Sequence, residues 1–227
     1  METTLHRQLK ALYAADDATQ EVVLGSYRID AIADGQLIEI QQASLGAIRD
    51  KIRTLLEDHD VRVVKPLAGR KYLIKKARRG GRVLSSRYSP SRGTFFDLFE
   101  DLVHFVNVFP HPRLTLEVIL TEQEEHRVPC KARRWRGKDY RVTDRQLRSV
   151  VDRLELRTNG HLAAFLPKTL PDRFTTREIA QAADIPRWLA QKMAFCLRKT
   201  GAVDTVGKEG NSLLYELAVA RVREKAA

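Results

Sequence analysis

The sequence predicts an α/β protein in which a mixed sheet flanked by helices is followed by a smaller module of paired helices and a hairpin. Three observations carry that expectation. Over residues 4–66 the apolar spacing runs helix, three strands, helix, strand, an order that needs a sheet with a helical crossover. In the last third, two short helices around a tight turn precede a hairpin with a glycine-rich tip. A chain of 227 residues, 43% of them hydrophobic, can build one large core or two small ones.

Leu5, Leu9, Leu12 and Tyr13 recur at helical spacing, so Thr4–Tyr13 reads as a short amphipathic helix. Residues 21–24 are β-prone and end at Gly25-Ser26. Tyr27–Ala33 and residues 36–42 alternate as strands. Asp34-Gly35 between them marks a two-residue hairpin turn, because both residues tolerate positive φ. Ser44 caps a helix over 44–58 with Ile48, Ile52, Leu55 and Leu56 on one face. Residues 61–66 and 71–75 read as two further strands, the second followed by a loop at Arg79-Gly80-Gly81. Turn residues at 89–93 introduce a helix over 94–106, ended by Pro110 and Pro112. Residues 114–121 read as a strand that closes a domain at 1–125. Residues 126–142, charged and holding Pro129, read as a basic linker to a second domain at 143–227.

In that second domain, 144–157 and 161–166 read as helices, broken at Pro167 and Pro171. Thr175 and Glu178 fit a capping box that opens a helix through Ile179, Ala180 and Ala183. Pro186 opens another over 186–199, ended by Gly201. Residues 203–206 and 213–217 flank the tip Gly207-Lys208-Glu209-Gly210-Asn211 as a hairpin. This is the winged-helix plan, in which the second helix of the pair enters a DNA major groove. Arg187, Gln191 and Lys192 are its candidate contacts, with Lys208 at the hairpin tip for a phosphate.

Charge narrows the partners. Forty Lys+Arg against twenty-nine Asp+Glu give +11, and residues 61–96 hold eleven basic residues and no acidic one. Lys71, Lys75, Lys76, Arg78, Arg79, Arg82 and Arg87 lie in that block, which suits a polyanion such as nucleic acid. The alternative is a merely solvated basic surface. Arg133, Arg134, Arg136 and Lys138, interleaved with Trp135 and Tyr140, add to the polyanion reading. No run of about eighteen apolar residues argues for a membrane span, and no apolar leader follows the N-terminus. Cys130 and Cys196 form no CxxC pair, so the expected setting is a reducing cytoplasm.

The chemistry sits in the first hairpin. Alternation puts Arg28, Asp30 and Ile32 on one face of its first strand, and Leu37, Glu39 and Gln41 on one face of the next. A register that joins these faces lets Asp30 and Glu39 share a hard cation such as Mg2+ (or Mn2+). A metal there would activate water and stabilise charge on a phosphodiester. The run Ile29-Asp30, then Leu37-Ile38-Glu39-Ile40-Gln41, in this element order over residues 3–66, resembles the PD-(D/E)xK nuclease superfamily. That resemblance implies a restriction endonuclease-like fold with Asp30 and Glu39 as metal ligands, aided by the Ile40 carbonyl. The third triplet residue, usually lysine, is Gln41 here. Gln41 and Lys51, the latter on the helix stripe expected to face the sheet, then become the residues that orient water or substrate. Members often carry a further acid on the first helix or strand, which makes Glu21 the preferred third ligand and Glu2 its alternative. Many members act as dimers, so a homodimer is implied by the resemblance alone.

The expectation is therefore a cytoplasmic, metal-dependent DNA endonuclease positioned by a winged helix. Its rival is a non-catalytic DNA-binding regulator, or an adaptor, built on a degenerate nuclease fold. His6 and Lys10 share one stripe of the first helix, where they contact a phosphate or form plain surface.

Overall fold

The computed structural model describes residues 3–14, 19–130 and 139–218. The chain forms two compact units, each assembled from three segments. The first takes Met1–Gln42, Arg62–Phe95 and Glu117–Leu154; the second takes Ala43–Val61, Phe96–Leu116 and Glu155–Ala227. The units are thus interleaved along the chain rather than successive.

The first unit centres on a seven-stranded sheet. Helix α1 (Thr4–Tyr13) is followed by β1 (Thr19–Leu24), β2 (Tyr27–Ala33) and β3 (Gln36–Ile40). The long strands β4 (Val61–Lys76), β6 (Leu114–Pro129) and β7 (Tyr140–Leu156) complete the order β1-β2-β3-β4-β6-β7. Strand β5 (Val83–Tyr88) pairs with β4. The β2–β3 turn is the one expected, with Asp34 at φ 51° and Gly35 at φ 72°. Val61 N–H donates to the Arg113 carbonyl, and the Thr121 hydroxyl reaches the Leu67 carbonyl six residues along β4. Both chains advance together, so β4 and β6 run parallel and the sheet is mixed. Helix α1 lays Leu5 and Leu9 on Ala31, Ile38, Ile40, Val64 and Ile119, with Leu147 and Val150 packed alongside. Burying a leucine this way contributes about 1.5–3 kcal/mol. Thr3 caps α1 by accepting from the His6 N–H, which fixes where the helix begins.

Several expected boundaries move. The strands at 61–66 and 71–75 are one strand that runs through Pro66 and Gly69. The helix expected over 144–157 is strand β7, and residues 126–129 and 140–142 of the linker expected at 126–142 are the ends of β6 and β7. Residues 131–138, with Arg133, Arg134, Trp135, Arg136 and Lys138, lie outside the described residues, as does Glu2. Ion pairs explain the strand: Glu125–Arg145, Glu122–Arg148 and Glu117–Arg153 share one antiparallel register between β6 and β7.

In the second unit, Ser44 caps a 3-10 turn at Leu45–Ala47 that leads into α2 (Arg49–Leu55), so the helix expected over 44–58 is split. The helix expected over 94–106 is a 3-10 turn followed by α3 (Leu98–Leu102). Phe96 and Phe99 meet Phe165 edge-on, at 5.7 and 5.1 Å between ring centres. Then come α4 (Asn159–Ala163), β8 (Arg173–Phe174), α5 (Thr176–Ala182), α6 (Arg187–Lys199), β9 (Val203–Glu209) and β10 (Ser212–Leu217). The strands form a three-stranded antiparallel sheet in the order β8-β10-β9. Thr175 and Glu178 make the capping box expected of them. Helix α6 buries Leu189, Ala190, Met193, Ala194, Cys196 and Leu197.

Candidate functional site

The β2–β3 pairing runs Ala33–Gln36, Ile32–Leu37 and Ala31–Ile38. Asp30 and Glu39 are the next residue on each strand beyond the Ala31–Ile38 pair. The Ile40 N–H donates to Oδ2 of Asp30 at 2.8 Å, so the aspartate is pinned by the strand opposite. Gln41 follows the end of β3, and its N–H donates to the Val64 carbonyl, tying this edge to β4.

Helix α1 brings two more groups to Asp30. His6 Nε2 lies 3.1 Å from Oδ1, and the Lys10 ammonium lies 3.2 Å from the same oxygen. Lys10 also pairs with Glu21, which pairs in turn with Arg28. The Lys10 side chain is 7% exposed, Asp30 14%, His6 20% and Glu21 32%. A lysine that deep needs a carboxylate, and here it stands between two. Burial pushes the Asp30 carboxyl up, but the His6 hydrogen bond, the Ile40 N–H and Lys10 together outweigh it and hold the group below the usual carboxylate range. The Lys10 hydrogen bond, with Lys10 and Arg28 charge, holds Glu21 low as well.

Asp30, Glu39, Gln41 and Glu21 thus lie in the first unit with His6 and Lys10, whereas Lys51 stands on α2 in the second. Glu21, with φ 56°, is engaged by Lys10 and Arg28. Among the described residues no three His, Cys, Asp or Glu side chains are grouped to hold a metal. Sequence reasoning put His6 and Lys10 on a shared stripe without linking them to Asp30. The usable signal was their i, i+4 spacing beside Leu5 and Leu9, the residues that dock the helix on the hairpin.

The basic block lies on the β4–β5 hairpin. Lys71, Lys75 and Lys76 are on β4, Arg78, Arg79 and Arg82 in the turn, and Arg87 on β5. In the second unit Arg187, Gln191 and Lys192 follow the outer face of α6, beside Trp188 and Phe195, which are 47% and 36% exposed. Lys192 sits 5.3 Å from the Trp188 ring centre. Lys208, exposed, is near the end of β9. Among the described residues no helix is long and apolar enough to cross a membrane.

Comparison with known proteins gives a family. The family model described as "Domain of unknown function (DUF8091)" matches residues 3–157. That is more than half of the chain, and the chain belongs to this family. A relative from Treponema pallidum (strain Nichols), described as "Uncharacterized protein", is 32% identical over 215 residues, covering 94% of this chain and 84% of the relative. No solved structure matches.

Proposed function

We propose that this member of the DUF8091 family is a metal-dependent DNA endonuclease with a restriction endonuclease-like first unit and a winged helix in the second. The observation that carries the reading is the β2–β3 hairpin, where Asp30 and Glu39 stand one step beyond the Ala31–Ile38 pair while α1 aims His6 and Lys10 at Asp30. The donor set suits a hard cation. Magnesium asks for one or two carboxylates and keeps its own waters, so Asp30, Glu39 and the Ile40 carbonyl are sufficient without a third acid. When bound, the ion would polarise a phosphoryl oxygen and acidify a coordinated water. The chain's own residues do the rest. Ile40 and His6 hold the Asp30 carboxylate ionised and oriented, and Lys10 supplies the positive charge that the triplet lacks at Gln41. Glu21 balances Lys10 rather than ligating metal. The order α4, β8, α5, α6, β9, β10, with the sheet β8-β10-β9, supports the winged-helix reading, and α6 with Lys208 would meet DNA. A cytoplasmic setting accords with Cys130 and Cys196, neither of which forms a disulfide.

One observation favours a second reading, a non-catalytic DNA-binding regulator: Lys10 and Arg28 already balance the charge of Asp30 and Glu21. Incubation with supercoiled plasmid in Mg2+, Mn2+ or EDTA separates the two. The nuclease reading expects metal-dependent nicking that Asp30→Asn and Glu39→Gln both abolish, with DNA binding retained. Binding with no cutting in any metal selects the regulator, and cutting that survives both substitutions refutes the site.

A further inference from the structure

We infer that the β4–β5 hairpin is a double-stranded DNA ribbon, its two strands entering the major groove while its cations take the flanking phosphates. This deepens the DNA partner proposed above, and it rests on that reading for the partner but not for the cutting. Beyond the rung Tyr72–Tyr88 the pairing runs Leu73–Arg87, Ile74–Ser86, Lys75–Ser85 and Lys76–Val83. Strand β5 pairs with β4 alone among the described strands, and all six of its residues are exposed. Residues 73–87 carry Lys75, Lys76, Arg78, Arg79, Arg82 and Arg87 and no acidic residue. Alternation sets Lys75, Ser85 and Arg87 on one face.

Shape selects the partner. Two strands spaced about 4.8 Å apart, with their side chains, fit the roughly 12 Å major groove of B-DNA. Single strands are gripped by stacking bases on open aromatic rings. Residues 73–87 hold no aromatic residue. The two tyrosines at the hairpin base are already in use: their rings meet edge-on at 5.0 Å, Arg70 lies 3.7 Å over Tyr88, and Arg148 lies 4.6 Å over Tyr72. The Tyr88 hydroxyl donates to Glu122 at 2.9 Å, and Arg148 donates to both at 3.0 Å. The ribbon therefore projects from a stapled base, in a fixed direction. Val83 and Leu84, 54% and 47% exposed, offer methyl groups to a thymine edge. The deep, narrow major groove of A-form RNA does not admit such a ribbon.

The test uses the full-length protein in EDTA, so that binding is read apart from cutting. Fluorescence anisotropy would follow a DNA duplex of about twenty base pairs, its single strand and the matching RNA duplex across roughly 50–200 mM salt. The DNA duplex is expected to bind tightest. Arg78→Gln/Arg79→Gln/Arg82→Gln should lower the slope of log affinity against log salt by about 2.7, at roughly 0.9 per lost phosphate contact. Far-UV circular dichroism of this exposed-turn variant should match the parent. An unchanged slope, or a preference for single strands or RNA duplex, overturns the inference. Hairpin-dependent duplex binding without cutting in Mg2+ would overturn the nuclease reading alone. Cutting by a protein whose hairpin variant binds normally would overturn the ribbon alone.

Discussion

Lys10→Met removes the ammonium from between Asp30 and Glu21 while keeping most of the unbranched stem that packs beside Leu9. Breaking a buried ion pair from one side costs about 3–5 kcal/mol, because the remaining charge is left uncompensated. Here the cost is smaller. Glu21 is 32% exposed and keeps Arg28, and Asp30 keeps the Ile40 N–H and His6. Discounting for that exposure leaves a loss of about 2–3 kcal/mol. Urea unfolding followed by circular dichroism would read it as a lower midpoint with an unchanged slope. The pH dependence carries a sign. The folded-state carboxyl of Asp30 is held below its ordinary value, so its stabilisation is present above the unfolded pKa of about 3.9 and is lost as pH falls through the folded value. The gap between parent and variant should therefore be full at neutral pH and close below about pH 4. A double-mutant cycle with Asp30→Asn should return a coupling of about 1–2 kcal/mol. A loss under about 0.5 kcal/mol at neutral pH, or a gap that persists in acid, would refute the claim that Lys10 holds these carboxylates.

Glu117 accepts from the Tyr13 hydroxyl, Arg62 and Arg153 at 2.7, 2.8 and 2.9 Å, and its side chain is only 5% exposed. Glu117→Ala should cost about 3–5 kcal/mol in the same unfolding assay, and a loss near 1 would mean the network is not holding β6 to its neighbours. Thr175→Ala removes the cap of α5 and should cost about 1 kcal/mol, with no measurable change counting against the capping box. Cys196 is buried, and burial, only partly offset by Lys192, pushes its thiol up to about 12, whereas Cys130 is exposed. Iodoacetamide at pH 8 should therefore modify Cys130 in the native protein and Cys196 only after unfolding; equal rates, read by peptide mass spectrometry, would contradict that placement.

What the sequence made legible was local. Thr4–Tyr13, the Asp34-Gly35 hairpin and the Thr175–Glu178 capping box each depend on contacts a few residues apart, and each is in place. What it hid was decided at long range. Leu147, Val150, Val151 and Leu154 are spaced as on a helix, yet β7 is a strand because its arginines find Glu117, Glu122 and Glu125 of β6. Tertiary pairing overrides a local period in this way wherever partners are distant in sequence. Residues 67–70 fall between two expected strands, yet β4 continues through them. A Cβ at Gly69 would lie 3.6 Å from Leu120 and from the Thr121 carbonyl, an ordinary packing distance, so β6 lies alongside β4 at this point. At the site, the hairpin that carries Asp30 and Glu39 was legible because a two-residue turn fixes register. His6 and Lys10 were not, since a helix's rotation over a sheet depends on the packing of Leu5 and Leu9.

The two buried charge networks differ in a way that bears on function. Around Glu117 the acid is sealed, and three donors close on one carboxylate. Around Asp30 two carboxylates share one lysine, and His6 and Glu21 keep a solvent-facing side. Replacing a buried ion pair with well-packed apolar residues is often neutral or stabilising, so stability alone is a weak reason to keep either network. The Glu117 network ties Tyr13 of α1 to three strands, β4, β6 and β7, which is reason enough for a sealed cluster. The Asp30 network also crosses elements, from His6 and Lys10 on α1 to Glu21 on β1, Asp30 on β2 and the Ile40 N–H on β3, but it keeps a side open to solvent. An ionised, oriented, partly accessible carboxylate is what the proposed phosphodiester hydrolase would need. A partly accessible carboxylate held ionised inside a charge network is a candidate for function, and on the proposed reading Asp30 is that candidate.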